Sequence, residues 1–204
     1  MAYTVKCFGS HDILLGKLHK YGIRDEAFLL LKSYLSSRIQ FTALNQTFSS
    51  YILIKYGVPQ GSILGPLLFL LYINDLPSAS SFYIKLFADD TFLCLQNSDI
   101  KSLENEINIE LRKVSNWLTA NKLTPNISKS KFMLTLRRRE KPSFHVKIKD
   151  KLLEECDSYK YLGVIIDKNL TWHDHIAHVT MKITKSCNYL SKLRHCVSID
   201  TLIN

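Results

Sequence analysis

Asp89 and Asp90 are adjacent carboxylates set between two stretches, 82–87 and 91–95, that are rich in aromatic and β-branched residues. Such stretches favour strands, and Ile84 and Leu86 alternate with Tyr83 and Lys85 at the period of a half-buried strand. The pattern predicts a β-hairpin with Ala88-Asp89-Asp90 at its turn. Two anions side by side at a tight turn repel each other unless a cation or solvent screens them. Oxygen ligands of this kind suit Mg²⁺, which tends to take one or two protein carboxylates together with substrate phosphates. Asp-Asp is also a common turn pair, so the dipeptide alone leaves both readings open.

The rest of the chain supplies helices and further short strands around that hairpin. Residues 12–21 and 25–35 read as helices, the first ended by Gly22, and 38–44 and 50–55 as strands about a turn at Asn45. The loop 57–62 is stiffened by Pro59 and bracketed by Gly57 and Gly61, and glycine permits close approach of the backbone to a ligand. The apolar run 63–73 spans roughly eleven residues, short of the ~18 that a membrane span needs, so it reads as a buried helix interrupted by Gly65 and Pro66. Leu103, Ile107, Leu111, Val114 and Leu118 keep helical spacing after a cap at Ser98 or Asp99. Residues 129–136, 143–149 and 159–166 suggest another small sheet, and a last helix covers about 174–193. Strand pairs mixed with helices point to an α+β fold with an antiparallel sheet.

Charge narrows the partner. The chain carries 27 Lys and Arg against 18 Asp and Glu, a net charge of +9. Ten basic residues and two acidic ones fall in 122–151, a local charge of +8. Such a block is the electrostatic footprint of phosphates running past a surface, although a solvated hairpin would look the same. Five scattered cysteines argue against a disulfide framework and fit a reducing compartment. With no signal peptide legible in 1–15, the expectation is an intracellular protein, in nucleus or cytoplasm, with no membrane partner. His173, His175 and His178, with Cys187, His195 and Cys196 downstream, match no compact zinc motif.

The order of pieces is distinctive. Gly57-Val58-Pro59-Gln60-Gly61-Ser62-Ile63-Leu64-Gly65-Pro66 precedes Tyr72-Ile73-Asn74-Asp75-Leu76-Pro77 and then Phe87-Ala88-Asp89-Asp90. Trp117-Leu118, Asn121-Lys122-Leu123, Asn126, Lys129 and Met133 follow, and then Tyr159-Lys160-Tyr161-Leu162-Gly163-Val164. This series resembles reverse transcriptases of non-LTR retrotransposons, of the kind encoded by jockey-type mobile elements. The likeness runs from His11-Asp12-Ile13-Leu14-Leu15 past Trp172, His175 and Ile176.

The resemblance implies a polymerase palm with flanking helices over 1–166, including a primer-grip-like hairpin, and a small helical thumb over 167–204. It implies an RNA template, a DNA primer and deoxynucleotides as partners, with Mg²⁺ or Mn²⁺ as the cofactor. Asp89 and Asp90 would be the catalytic and metal-binding pair. Pro59, Gln60 and Gly61 would position template and nucleotide, and Lys129 would help pyrophosphate leave. Tyr161, Leu162 and Gly163 would hold the primer end. Arg137, Arg138 and Arg139, the densest part of the basic block, would lie along the nucleic acid.

One segment departs from the family. Its first catalytic stretch reads roughly Asp-Leu-Ser-Lys-Ala-Phe-Asp-Thr-Val-Asp-His before Asp-Ile-Leu-Leu. Without gaps, the metal-binding aspartate falls at Met1, the nucleotide-contacting aromatic at Lys6, and two further acidic positions at Cys7 and Ser10. No Asp or Glu precedes Asp12. The expectation is therefore a palm whose first catalytic segment is missing or degenerate, inactive unless a portion outside this sequence supplies the carboxylate. A sheet short of its first strand would expose an unpaired edge. The alternative is a non-catalytic nucleic-acid-binding module.

Replacing Arg137, Arg138 and Arg139 with Ala is expected to flatten the slope of log affinity against log salt on duplex DNA, by up to ~0.9 for each phosphate no longer neutralised. Filter-binding titrations across a salt series measure this, and an unchanged slope would reduce the triplet to a solvated turn.

Overall fold

A computed structural model describes residues 2–6, 9–59, 61–136 and 143–193. In chain order the elements are β1 (Ala2–Lys6), α1 (His11–Lys20), α2 (Asp25–Leu35), β2 (Ile39–Gln40), β3 (Ala43–Leu44), β4 (Thr47–Phe48) and β5 (Ile52–Leu53). Next come α3 (Leu64–Ile73), β6 (Tyr83–Phe87), β7 (Asp90–Cys94), α4 (Ile100–Ala120), β8 (Thr124–Pro125) and β9 (Lys131–Phe132). The last are β10 (Lys147–Ile148), β11 (Lys151–Leu152), β12 (Glu154–Glu155), β13 (Ser158–Tyr161), β14 (Val164–Asp167) and α5 (His173–Leu193). The class is α+β. Two compact units emerge, residues 1–132 with 142–154, and residues 133–141 with 155–204.

The first unit is built on a six-stranded sheet in the order β12-β9-β1-β7-β6, with β8 also paired to β1. The expected unpaired edge is not found. β1 lies inside the sheet, antiparallel to β7 on one side and to β8 and β9 on the other. The β6–β7 hairpin forms as its alternation predicts, with Ile84 and Leu93 buried and Tyr83, Lys85 and Phe87 exposed. Its turn is one residue shorter than expected, because Asp90 already pairs with Phe87.

Helix α4 supplies the other wall of the core. The Asp99 carboxylate accepts the Ser102 N–H at 2.9 Å and so caps the first turn. Leu103, Leu111, Val114 and Leu118 are buried along the predicted stripe. Each such side chain contributes about 1.5–3 kcal/mol when fully removed from water. Glu110, also buried, accepts the Ser81 N–H at 2.8 Å just ahead of β6 and pairs with Lys113 at 2.7 Å. These bonds hold its carboxyl below the ordinary value, Lys113 contributing most.

Helix α3 departs from the expectation of a buried helix. Leu68, Tyr72 and Ile73 are buried, but Leu67 and Leu70 are 52% and 47% exposed. Packing against α1 covers one side only, although the sequence is apolar nearly all round. Gly65 and Pro66 do not interrupt the helix, since they sit in its first turn, where a missing N–H costs nothing.

The Tyr72 hydroxyl joins three elements. It accepts the Ser10 N–H at 3.2 Å and donates to the Asn121 carbonyl at 2.6 Å. Burial pushes its ionisation above the ordinary tyrosine value, so the donor proton stays in place. Beside it, Lys17 Nζ lies 5.0 Å from the Tyr72 ring centre and 4.6 Å from that of Trp117, and donates to the Tyr72 carbonyl at 2.6 Å and to Asp75 at 2.5 Å. Desolvation lowers the Lys17 ammonium below the usual lysine value despite the pull of Asp75.

The expected strands over 129–136 and 143–149 shrink to two residues each, β9 and β10. Phe144, Val146 and Ile148 are buried and alternate with exposed His145, Lys147 and Lys149, so the two-residue period does mark an inner and an outer face. β11 pairs with β10 along one edge of this segment, and Asn108 of α4 satisfies the backbone along the other. Its amide donates to the His145 carbonyl and accepts the Lys147 N–H, both at 2.9 Å.

In the second unit, β13 and β14 pair around Leu162 and Gly163, with φ of +48° and +88°. Two successive left-handed residues make the hairpin turn that matches strand twist. Asp167 accepts the N–H groups of Asn169, Thr171 and Trp172 at 2.9–3.0 Å, ordering the entry to α5. No described residue of α5 is buried. Among the described residues no helix is long and apolar enough to cross a membrane.

Tyr72→Phe is expected to cost about 1–3 kcal/mol, because it strands a buried N–H and a buried carbonyl at once. Urea unfolding measures the difference, and a change within error would show that water replaces the hydroxyl.

Candidate functional site

Three of the segments with distinctive sequence meet around β1 and the residues that follow it. The first is the hairpin. Asp90 opens β7, half-buried, with residue 4 of β1 as its cross-strand partner, and residues 2 and 3 stand opposite Phe92 and Thr91. Asp89 is exposed at the turn. Ala88 holds φ +49°, a conformation costing roughly 1–2 kcal/mol in a residue other than glycine.

The second segment is the turn Ile127–Lys129, a single 3₁₀ turn joining β8 to β9 on the other side of β1. Ser130, buried behind it, donates to the Asn126 carbonyl at 2.8 Å and fixes the turn. Lys129 itself is exposed.

The third segment is the loop 57–62, tied to the start of α1. Gly57 N–H donates to the Gly9 carbonyl at 2.9 Å, His11 Nε2 lies 2.7 Å from the Gly57 carbonyl, and Ser10 pairs with Tyr56. The loop then closes on α3. Ser62 Oγ donates to the Pro59 carbonyl at 2.7 Å and accepts the Gly65 N–H at 3.0 Å. Gly65 is required at this position, because a Cβ would stand 2.9 Å from both the Pro59 carbonyl oxygen and Ser62 Oγ. Pro59 is half-buried and Gly61 exposed with φ +78°. Gln60 lies outside the described residues.

In the second unit, Tyr161 is half-buried, and Leu162 and Gly163 form the exposed turn of the β13–β14 hairpin. Arg137, Arg138 and Arg139 lie outside the described residues. Lys131 pairs with Glu154 at 3.0 Å, while Lys147 and Lys149 stand on the outer side of 143–149. His173, His175, His178 and Cys187 all fall on α5; His195 and Cys196 are outside the described residues.

The donor set does not fit a two-metal centre. Such a centre clamps attacking and leaving oxygens between two ions, and Mg²⁺ wants near-octahedral oxygen coordination. The hairpin offers Asp89 and Asp90, while β1 reads Ala-Tyr-Thr-Val-Lys and adds no carboxylate. Among the described residues no three His, Cys, Asp or Glu side chains converge.

The sequence alone does not show the ties that His11, Tyr72 and Asp75 make. Their roles as ties between the loop, α1, α3 and α4 depend on contacts 46 to 62 residues apart in the chain. Only the grouping of apolar and polar residues in 72–77 hints at them.

Residues 7–166 match the family model for reverse transcriptase (RNA-dependent DNA polymerase). The chain is 33% identical over 162 residues to the probable RNA-directed DNA polymerase from transposon X-element of Drosophila melanogaster, covering 76% of this chain and 18% of that protein. It is 29% identical to the RNA-directed DNA polymerase from mobile element jockey of Drosophila funebris, covering 87% of this chain and 20% of that protein. A 27% identity to the probable RNA-directed DNA polymerase from transposon BS of Drosophila melanogaster covers 94% and 22%. The chain thus spans about a fifth of the length of these relatives.

Gly65→Ala is expected to push the 59–62 loop off α3 at a cost of roughly 1–3 kcal/mol. Limited proteolysis checks it: faster cleavage within 57–62 at unchanged cleavage elsewhere supports the packing, and equal rates refute it.

Proposed function

This chain belongs to the reverse transcriptase (RNA-dependent DNA polymerase) family, and on that premise we propose that it is a retrotransposon palm-and-thumb segment that holds template and primer without joining nucleotides by itself. One observation carries the proposal. β1 fills the sheet position beside the Asp89-Asp90 hairpin yet brings no carboxylate to it.

The family reaction is nucleotidyl transfer. A primer 3′-hydroxyl attacks the α-phosphate of a deoxynucleotide, the new phosphodiester forms and pyrophosphate leaves. Catalysis of this kind is chiefly positioning and charge neutralisation. In this reading residues 1–166 act as palm and 167–204 as thumb. Pro59, Gln60 and Gly61 set the template base and nucleotide, Lys129 neutralises charge developing on pyrophosphate, and the Tyr161-Leu162-Gly163 turn holds the primer end. Arg137, Arg138 and Arg139 run along the backbone. Asp89 and Asp90 are half of a Mg²⁺ or Mn²⁺ ligand set.

The polymerase reading requires a carboxylate beside Asp90. The observed register makes residue 4 that neighbour, whereas ungapped correspondence with the family places the acid at residue 1. A Thr4→Asp variant therefore tests whether the rest of the site is competent.

Primer extension on an RNA template with Mg²⁺ or Mn²⁺ is expected to give no templated product from this chain or from Asp89→Asn. Product from the unaltered chain that disappears in Asp89→Asn would overturn the proposal. Thr4→Asp is expected to bind Mn²⁺ more tightly than the unaltered chain, read by the loss of the free-ion electron paramagnetic resonance signal.

A further inference from the structure

Beside the core, α4 and the segment 143–149 enclose a groove of about 380 Å³. Its helical wall is a ridge of residues four apart, Glu104, Asn108, Arg112 and Asn116, which lie above one another on a helix. Its other wall is the outward face of the segment, His145, Lys147 and Lys149, at the two-residue period of an extended chain. The groove lies wholly within the first unit. Its helical ridge is turned away from the stripe Leu103, Leu111, Val114 and Leu118 that faces the core.

Its charge is lopsided. Arg112, Lys147 and Lys149 are exposed, and among the described residues none has a carboxylate within ion-pair distance. Glu104 at one end is already engaged, accepting the His145 N–H at 3.3 Å with the imidazole 3.7 Å away. Three like charges gathered in a concave site repel one another, and an anion that bridges them relieves that cost. The walls are also fixed in advance. The Asn108 amide grips the backbone at 145 and 147 with two bonds, so ordering the site for a ligand costs little.

We propose that this groove binds the phosphate backbone of a single-stranded nucleic acid, with Arg112, Lys147 and Lys149 on successive phosphates and Asn116 on sugar or base. The choice of polymer rests on the reading of the chain as a nucleic-acid-handling domain. The site itself uses no residue of the Asp89 hairpin, the 57–62 loop or the Lys129 turn. The groove holds about 380 Å³, too little to take in a double helix, which favours a single strand.

The test uses the full chain and fluorescent homopolymers of RNA and of DNA, by anisotropy across a salt series. The variant Arg112→Ala/Lys147→Ala/Lys149→Ala is compared with Lys20→Ala/Lys32→Ala/Lys101→Ala, which removes equal charge from exposed sites elsewhere. The groove variant is expected to bind about tenfold or more weakly at low salt, with a slope reduced by up to ~0.7 per phosphate on a single strand. The control should retain most of its slope, and Lys147→Arg alone should bind as the unaltered chain does. Equal weakening in groove variant and control, or none in either, overturns the proposal. Weakening on RNA alone or DNA alone overturns the assignment to phosphate. The titration contains no deoxynucleotide and no divalent metal, so its outcome is independent of primer extension.

Discussion

A single buried hydroxyl fixes the relation among the parts of the first unit. Tyr72, on α3, accepts a hydrogen bond from the Ser10 N–H just after β1 and donates one to the Asn121 carbonyl at the end of α4. Ser10 leads into α1 and the tie to the 57–62 loop, and Asn121 leads into β8 and the Lys129 turn. Both partners are backbone groups and the hydroxyl is buried, so leaving any member unpaired is costly. Lys17 reinforces the node by placing a cation between two aromatic rings and next to the Asp75 carboxylate. Desolvation there outweighs the pull of Asp75 and lowers the ammonium below the ordinary lysine value.

Scaffold and chemistry separate cleanly in this arrangement. A sheet asks of its inner strand only that it offer N–H and carbonyl groups in register, and β1 does so. A metal centre asks for carboxylate oxygens in a fixed geometry, and the sequence of β1 contains none. The strand therefore keeps its place in the sheet without bringing a carboxylate of its own.

Legibility in the sequence follows the range of the forces involved. The stripe of α4, the alternation along β6 and the cap at Asp99 are local and can be read from spacing alone. The resemblance locates the hairpin and the loop, because glycine, proline and carboxylates at turns are chosen for local reasons. β1 is not legible: five residues with a weak pattern become a strand only because β7, β8 and β9 flank them. The partial exposure of α3 is equally hidden, since composition reports how apolar a helix is and not what surrounds it. The basic block from 122 to 151 looks continuous in sequence, yet Lys131 is engaged with Glu154 while Lys147 and Lys149 line a groove.

Asn108 has a consequence beyond the groove it shapes. Extended segments slip easily, and a shift of one residue turns every inward side chain outward. Here Phe144, Val146 and Ile148 would be exchanged for His145, Lys147 and Lys149, placing charge in the core. The primary amide donates to one carbonyl and accepts from the N–H two residues on, so it recognises one alignment and rejects its neighbours. It also occupies the backbone edge at 145 and 147, while Val146 and residues 147–148 face β11 and Leu153 on the other side. A foreign strand finds no vacant ladder there. One helical side chain thus acts as a molecular ruler for alignment and as a stopper against unwanted strand addition.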